Sequence, residues 1–119
     1  MEIIVIERSG HVSYANCGLP YYVGGVIENE EDLLLQTPQS LHERFRLDVR
    51  VESEVTQIDA DQKVLSIRNL ATGTAYELSY DKLVLSPGAS PIIPPIPGIE
   101  RALPLRTVED VTHMSLAVS

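Results

Sequence analysis

The sequence predicts an α/β fold in which short strands of parallel-sheet type carry an inserted antiparallel meander. Three observations predict it. The β-branched run Ile3-Ile4-Val5-Ile6 stands almost at the start of the chain, and short uninterrupted apolar runs read as strands buried on both faces, the habit of parallel sheets. A second such run, Leu83-Val84-Leu85, lies within Asp81–Ser86. From Val49 the pattern changes to Val51, Val55 and Ile58, then Val64 and Ile67, then Tyr76 and Leu78, broken by Asp59-Ala60-Asp61-Gln62 and Ala71-Thr72-Gly73-Thr74. Strand-like segments separated by turn residues in this way predict a three-stranded antiparallel meander.

The first strand is punctuated by Ser9-Gly10, and a loop follows to Asn16. Asn16 or Cys17 is expected to cap a brief helix across Gly18-Leu19-Pro20-Tyr21-Tyr22-Val23, with Pro20 near the first turn, where a missing N–H costs least, and Gly24-Gly25 ending it. The acidic stretch Glu28 to Asp32 reads as a solvated loop without function. Thr37-Pro38 is an N-cap and first-turn pair that opens a helix near residues 38–46, with Leu41, Phe45 and Leu47 at mixed helical spacing. After the meander, Asp81–Ser86 is expected to form a last buried strand stopped by Pro87-Gly88. The stretch Pro91 to Pro97 can continue neither a sheet nor a helix and is expected to be an extended connector. Thr107 to Met114, with Glu109 and Asp110 near its start, predicts a final helix.

Composition limits what the chain can do. Its 119 residues, 44% of them hydrophobic, suffice for one domain with a modest core. A net charge of −8 argues against nucleic acid, whose phosphates require clustered cations. No apolar run approaches the roughly 20 residues needed to cross a bilayer, and the start lacks the basic-then-apolar order of a signal peptide, so no membrane partner and a cytoplasmic location are expected. One cysteine cannot form an internal disulfide, and with His11, His42 and His113 scattered it makes a poor metal site. Cys17 is left with packing or reactivity.

Three places could carry chemistry. Glu7 directly follows the first apolar strand, where dinucleotide-binding folds place the carboxylate that accepts from ribose hydroxyls; a glutamate at a strand end is also at home on plain surface. The glycine fingerprint that such folds carry roughly 20 residues earlier is absent, with no room for it before Met1. Cys17 sits between Asn16 and Gly18 at a helix start, where free N–H groups favour thiolate, although free cysteines are more usually inert small hydrophobes. Tyr14, Tyr21 and Tyr22 crowd the same segment, as core or as hydrogen-bonding groups in a cleft. Ser86-Pro87-Gly88-Ala89 would permit close backbone approach to a phosphate, or simply make a turn.

Taken together, Val12-Ser13-Tyr14-Ala15-Asn16-Cys17-Gly18-Leu19-Pro20-Tyr21-Tyr22-Val23-Gly24-Gly25 is similar to the single-cysteine active-site segment of the coenzyme A-disulfide reductases. These stand beside NADH oxidases, NADH peroxidases and persulfide reductases among the pyridine nucleotide-disulfide oxidoreductases. The resemblance continues through Glu54-Val55-Thr56-Gln57-Ile58-Asp59, Tyr80-Asp81-Lys82-Leu83-Val84-Leu85-Ser86-Pro87-Gly88-Ala89 and Pro94-Pro95-Ile96-Pro97-Gly98, motifs shared across the wider flavoprotein superfamily. It implies that Glu7 holds the FAD adenosine ribose with Arg8 beside it, that the Val55 backbone meets the adenine, and that Ser86, Pro87, Gly88 and Ala89 line the cofactor. Cys17 would be the redox thiol, with Ser13 and Asn16 positioning it or the coenzyme A sulfur. NAD(P)H and coenzyme A are the other implied cofactors, and the substrate a small-molecule thiol or disulfide.

Members of this family begin with a strand, a glycine-rich turn and a helix, and continue into NADH-binding and dimerisation domains; none of these is expected here. The resemblance therefore implies an incomplete Rossmann-type FAD-binding domain over residues 1–119. Residues 1–48 would hold its second strand, the Cys17 segment and helices, 49–80 the meander, and 81–119 the last strand, connector and terminal helix. Such a fragment is expected to bind FAD weakly or not at all, to be inactive by itself, and to self-associate through the open edge of Ile3–Ile6. The parent function would be disulfide reduction, with cycling of Cys17 through sulfenic acid as the close competitor. A non-catalytic remnant or binding module is the reading from another class.

Overall fold

The computed structural model describes residues 1–118. Its elements are β1 (Ile4–Ile6), β2 (Ser13–Tyr14), a 3-10 turn (Asn16–Gly18), α1 (Leu19–Val23), a 3-10 turn (Glu30–Leu33), β3 (Leu34–Gln36), α2 (Pro38–Phe45), β4 (Asp48–Arg50), β5 (Ser53–Asp59), β6 (Val64–Asn69), β7 (Ala75–Ser79), a 3-10 turn (Ile99–Arg101) and α3 (Val108–Val118). They divide into two compact units, one of residues 1–13 with 36–85 and the other of residues 14–35 with 86–118. No helix among the described residues is long and apolar enough to cross a membrane.

In the first unit β1 and β4 pair in parallel, with Ile4 against Asp48, Val5 against Val49 and Ile6 against Arg50. Parallel neighbours need a crossover connection, and α2 leads directly into β4. The N-cap and first-turn pair Thr37-Pro38 is present, and Ser40 completes a capping box: Thr37 Oγ1 accepts from Ser40 N at 3.1 Å, and Ser40 Oγ accepts from Thr37 N at 2.9 Å. Arg46 closes α2 in the left-handed region, at φ 58°.

The meander forms in the order β5-β6-β7, antiparallel throughout, but it begins at Ser53: Val49 and Arg50, read as its start, pair with β1 in the parallel strand β4 instead. Its turns use local acceptors: Asp59 Oδ1 takes Gln62 N at 2.9 Å, and Asn69 Oδ1 takes both Ala71 N and Thr72 N at 3.0 Å. Leu65 and Ile67 point inward two residues apart on β6 and are buried, as a period-two pattern requires. Arg50 spans from β4 to β7, donating twice to Asp48 Oδ2 and once, at 3.0 Å, to the Tyr76 hydroxyl. The hydrogen bond from Asp48, then that from Tyr76, holds its guanidinium protonated above the ordinary arginine range.

Two strand expectations change. Asp81–Ser86 forms no strand: Val84 and Leu85 are 85% and 67% exposed, and no strand among the described residues pairs with them. An apolar run extends as a strand only when a neighbouring backbone takes its N–H and C=O groups. β1 pairs with β4 alone among the described residues and is half-buried rather than covered on both faces.

The second unit is organised around Leu19, Leu33, Val108 and Val111, all buried, with Tyr14, Tyr22, Val23, Ile27 and Leu34 packed against them. Val108 and Val111 are three apart on α3 and so share the face turned to this core. The helix starts as the sequence suggests and runs past Met114 to Val118. Its first turn is closed by Asp110, whose Oδ2 accepts from Thr107 N at 3.0 Å and Arg106 N at 2.9 Å while its own N donates to Thr107 Oγ1. The acidic stretch differs from expectation: its charged residues lie mainly outside, but they form a 3-10 turn that delivers Leu33 into the core. The proline-rich segment has no regular structure, as expected, and ends at Gly98 with φ 89°.

Candidate functional site

Cys17 lies on the 3-10 turn Asn16–Gly18, which is fastened at both ends. Ala15 N donates to Leu33 O at 2.7 Å, Gly18 N donates to Ala15 O at 2.9 Å, and Leu19, the next residue, is buried. Asn16 and Cys17 are thereby held outward, and the thiol is exposed. No side chain caps the turn or α1: Ala15 holds the N-cap position of the first and Gly18 of the second. This corrects the expectation that Asn16 or Cys17 would serve as a cap. The backbone is anchored from the core side instead.

Gly18 is required by packing, since its φ of −79° is open to any residue. A Cβ there would stand 2.9 Å from Leu33 Cδ2 and 3.3 Å from Ile27 Cδ1. Gly18→Val is therefore expected to destabilise the protein by about 1–3 kcal/mol through overpacking. Urea unfolding checks this, and an unchanged midpoint would show that Leu33 can move aside freely.

Beside the turn lies an open depression of about 320 Å³ lined by Asn16, Ser90, Pro91, Pro104, Leu105 and Arg106. Arg106 is its organiser. The Tyr14 hydroxyl donates to Arg106 O at 3.3 Å, and Arg106 Nε donates to Ala89 O at 2.7 Å. The second unit thus brings together Asn16, Arg106 and the loop that runs from Ala89 to Pro91. Ser86, Pro87, Gly88 and Ala89 are all exposed, and Gly88 has φ 72° with open space around it, so glycine is favoured by conformation alone.

Glu7, Arg8 and Val55 belong to the first unit, as does Ser13, which is half-buried on β2. Glu7 stands at the carboxyl end of β1, the end at which open α/β sheets receive ligands. Its Oε1 accepts from Ser9 N at 2.7 Å, which orients the carboxylate and leaves Oε2 unengaged among the described residues. Its backbone O takes Ser53 N at 3.0 Å, so the start of β5 is held beside it. Val55 follows on that outer strand, next to a bulge between Val55 and Gln57. Arg8 is exposed. Among the described residues no three His, Cys, Asp or Glu side chains converge as metal ligands.

A family profile described as pyridine nucleotide-disulphide oxidoreductase matches residues 1–119. The chain belongs to that family. Within the pyridine nucleotide-disulphide oxidoreductases it is 43% identical over 99 residues to an NADH oxidase of Enterococcus faecalis, covering 83% of this chain and 22% of the relative. It is also 43% identical over 89 residues to a coenzyme A disulfide reductase of Staphylococcus epidermidis, covering 75% and 20%. The crystal structure of reduced Bacillus anthracis CoADR-RHD superposes with a TM-score of 0.92 at 48% identity, over 98% of this chain and 22% of that one. The chain thus spans about a fifth of the length of the relatives it matches. Its parallel strands and antiparallel meander are the α/β, Rossmann-type arrangement expected of this oxidoreductase family.

Sequence reasoning did not single out Arg106, and it read Asp110 only as a helix-start charge. A signal for them exists, since Thr107-x-x-Asp110 is a capping-box spacing that marks the start of α3 and places Arg106 just before it. Nothing local shows that Arg106 reaches back to Ala89, 17 positions earlier in the chain.

Proposed function

We propose that this chain carries the redox cysteine and the adenosine-binding part of an FAD-dependent NAD(P)H oxidoreductase that reduces a small-molecule disulfide, coenzyme A disulfide or a persulfide. The observation that carries this reading is Cys17, exposed on a turn that the core fastens on both sides. A nucleophilic thiolate needs access and a fixed position.

The residues present fit the adenosine end of FAD. Glu7 offers an oriented carboxylate at a parallel strand's carboxyl end for the ribose hydroxyls, with Arg8 beside it, and the backbone near Val55 lies on an outer strand where an adenine can approach. The exposed Ser86–Ala89 loop, with its glycine in the left-handed region, suits close approach of the cofactor. Bound FAD would supply electron relay between NAD(P)H and sulfur. This chain's own step is attack of the Cys17 thiolate on one sulfur of the substrate disulfide: the new S–S bond leaves a mixed disulfide on Cys17, and the other half departs as a thiolate that takes up a proton. Asn16 and Ser13 are assigned to positioning the thiol or the incoming sulfur.

Equal identity to an NADH oxidase and to a coenzyme A disulfide reductase supports a second reading, in which Cys17 cycles through sulfenic acid with oxygen or peroxide as acceptor. Anaerobic assay of the complete polypeptide separates them. Thiol release in step with NAD(P)H oxidation on adding coenzyme A disulfide is the expected result, whereas NAD(P)H oxidation that requires oxygen and releases no thiol overturns it in favour of the oxidase.

A further inference from the structure

We propose that Arg106 is a positioning residue whose side chain tethers the Ser86–Pro91 loop against the thiol-bearing segment, setting the loop for the cofactor. The proposal rests on the reading of Ser86–Ala89 as cofactor-lining. The loop has no regular structure, and every residue in it is exposed. Among the described residues the hydrogen bond that holds it is Arg106 Nε to Ala89 O, at 2.7 Å. The donor is ionised, which makes such a bond shorter and roughly twice as strong as a neutral one.

Arg106 itself is fixed by its backbone alone. Its N donates to Asp110 Oδ2 at the start of α3, and its O accepts from the Tyr14 hydroxyl two residues before Asn16. Neither bond involves the Arg106 side chain. The two tasks are therefore chemically separate: the main chain joins α3 to the thiol-bearing segment, and the side chain alone holds the loop. Asn16, Ser90, Pro91 and Arg106 line one depression, so loss of the tether frees one wall of it and leaves the other in place.

The test uses Arg106→Met, which keeps side-chain length and removes the donor, and Arg106→Lys, which restores a cationic donor. In the 119-residue chain, backbone 15N order parameters of Gly88 and Ala89 are expected to fall from about 0.85 toward the flexible range below about 0.6 in Arg106→Met and to recover partly in Arg106→Lys, with an unchanged melting midpoint. In the complete polypeptide the FAD dissociation constant is expected to rise about tenfold in Arg106→Met and to recover in Arg106→Lys. Unchanged order parameters in Arg106→Met overturn the tether. A midpoint that falls together with affinity also overturns it, by showing a general structural role. A loop that loosens while FAD affinity stays at its original value supports the tether and overturns the assignment of Ser86–Ala89 to the cofactor.

Discussion

Cys17→Ser in the complete polypeptide is expected to abolish NAD(P)H-dependent disulfide reduction while FAD stays bound, visible as retained flavin absorbance. The physical reason is specific to sulfur. A serine hydroxyl fills nearly the same volume but cannot form the mixed disulfide by which the proposed reaction would break a substrate S–S bond. Cys17 is exposed, and the turn that carries it is fastened by Ala15 N to Leu33 O and by the buried Leu19. The substitution therefore leaves the anchoring untouched, and a fall in activity cannot be assigned to unfolding when the melting midpoint is unchanged. Disulfide turnover retained within about tenfold would remove Cys17 from the mechanism, and with it the reading of this segment as a thiol-redox site.

Leu33→Ala has the largest expected effect on stability, a loss of about 2–5 kcal/mol. Leu33 is fully buried, and it sits among the few buried side chains of the second unit. Removing its branched end discards the transfer energy of burial and leaves a cavity that the neighbours fill only partly. The cavity opens directly beneath the thiol turn, because Leu33 Cδ2 is the atom that a Cβ on Gly18 would meet at 2.9 Å. A second expectation follows from that contact: Gly18→Ala, unfavourable alone, is partly compensated in the Leu33→Ala background, since the added methyl enters the space just vacated. Urea unfolding of the two single variants and the double variant tests both statements. A loss below about 1 kcal/mol for Leu33→Ala, or strict additivity in the double variant, would show that the turn does not rest on this side chain.

Much of this protein was legible in one dimension. The Thr37-Pro38 start of α2, the turn residues of the meander and the non-repetitive proline segment all act through neighbours within a few residues, and each appears in the structure as read. Cys17 with its flanking Asn16 and Gly18 was equally visible, because an unusual local composition survives without knowledge of its surroundings. The Thr107-x-x-Asp110 spacing at the start of α3 was present too, though Asp110 was read only as a helix-start charge.

Other features were decided by partners distant in the chain. Leu83-Val84-Leu85 has the composition of a buried strand, yet pairing is a property of two segments, and its backbone finds no ladder partner among the described residues. Leu33 directly follows an acidic stretch whose average polarity predicts solvent; one apolar side chain is enough to anchor a turn when Leu19, Val108 and Val111 converge on it. Gly18 looks like a helix-start glycine and is in fact a packing requirement set by Leu33 and Ile27. Arg106 reaches Ala89 and receives Tyr14 from sequence separations that no local pattern encodes. The sequence by itself thus determined most of the local elements, because those depend on bonds between near neighbours, and it singled out Cys17 as the candidate thiol. Which side of each element is buried, which strand is paired and what holds the thiol turn in place were decided only by the tertiary structure, because burial and hydrogen bonding there are shared between segments that meet only after folding.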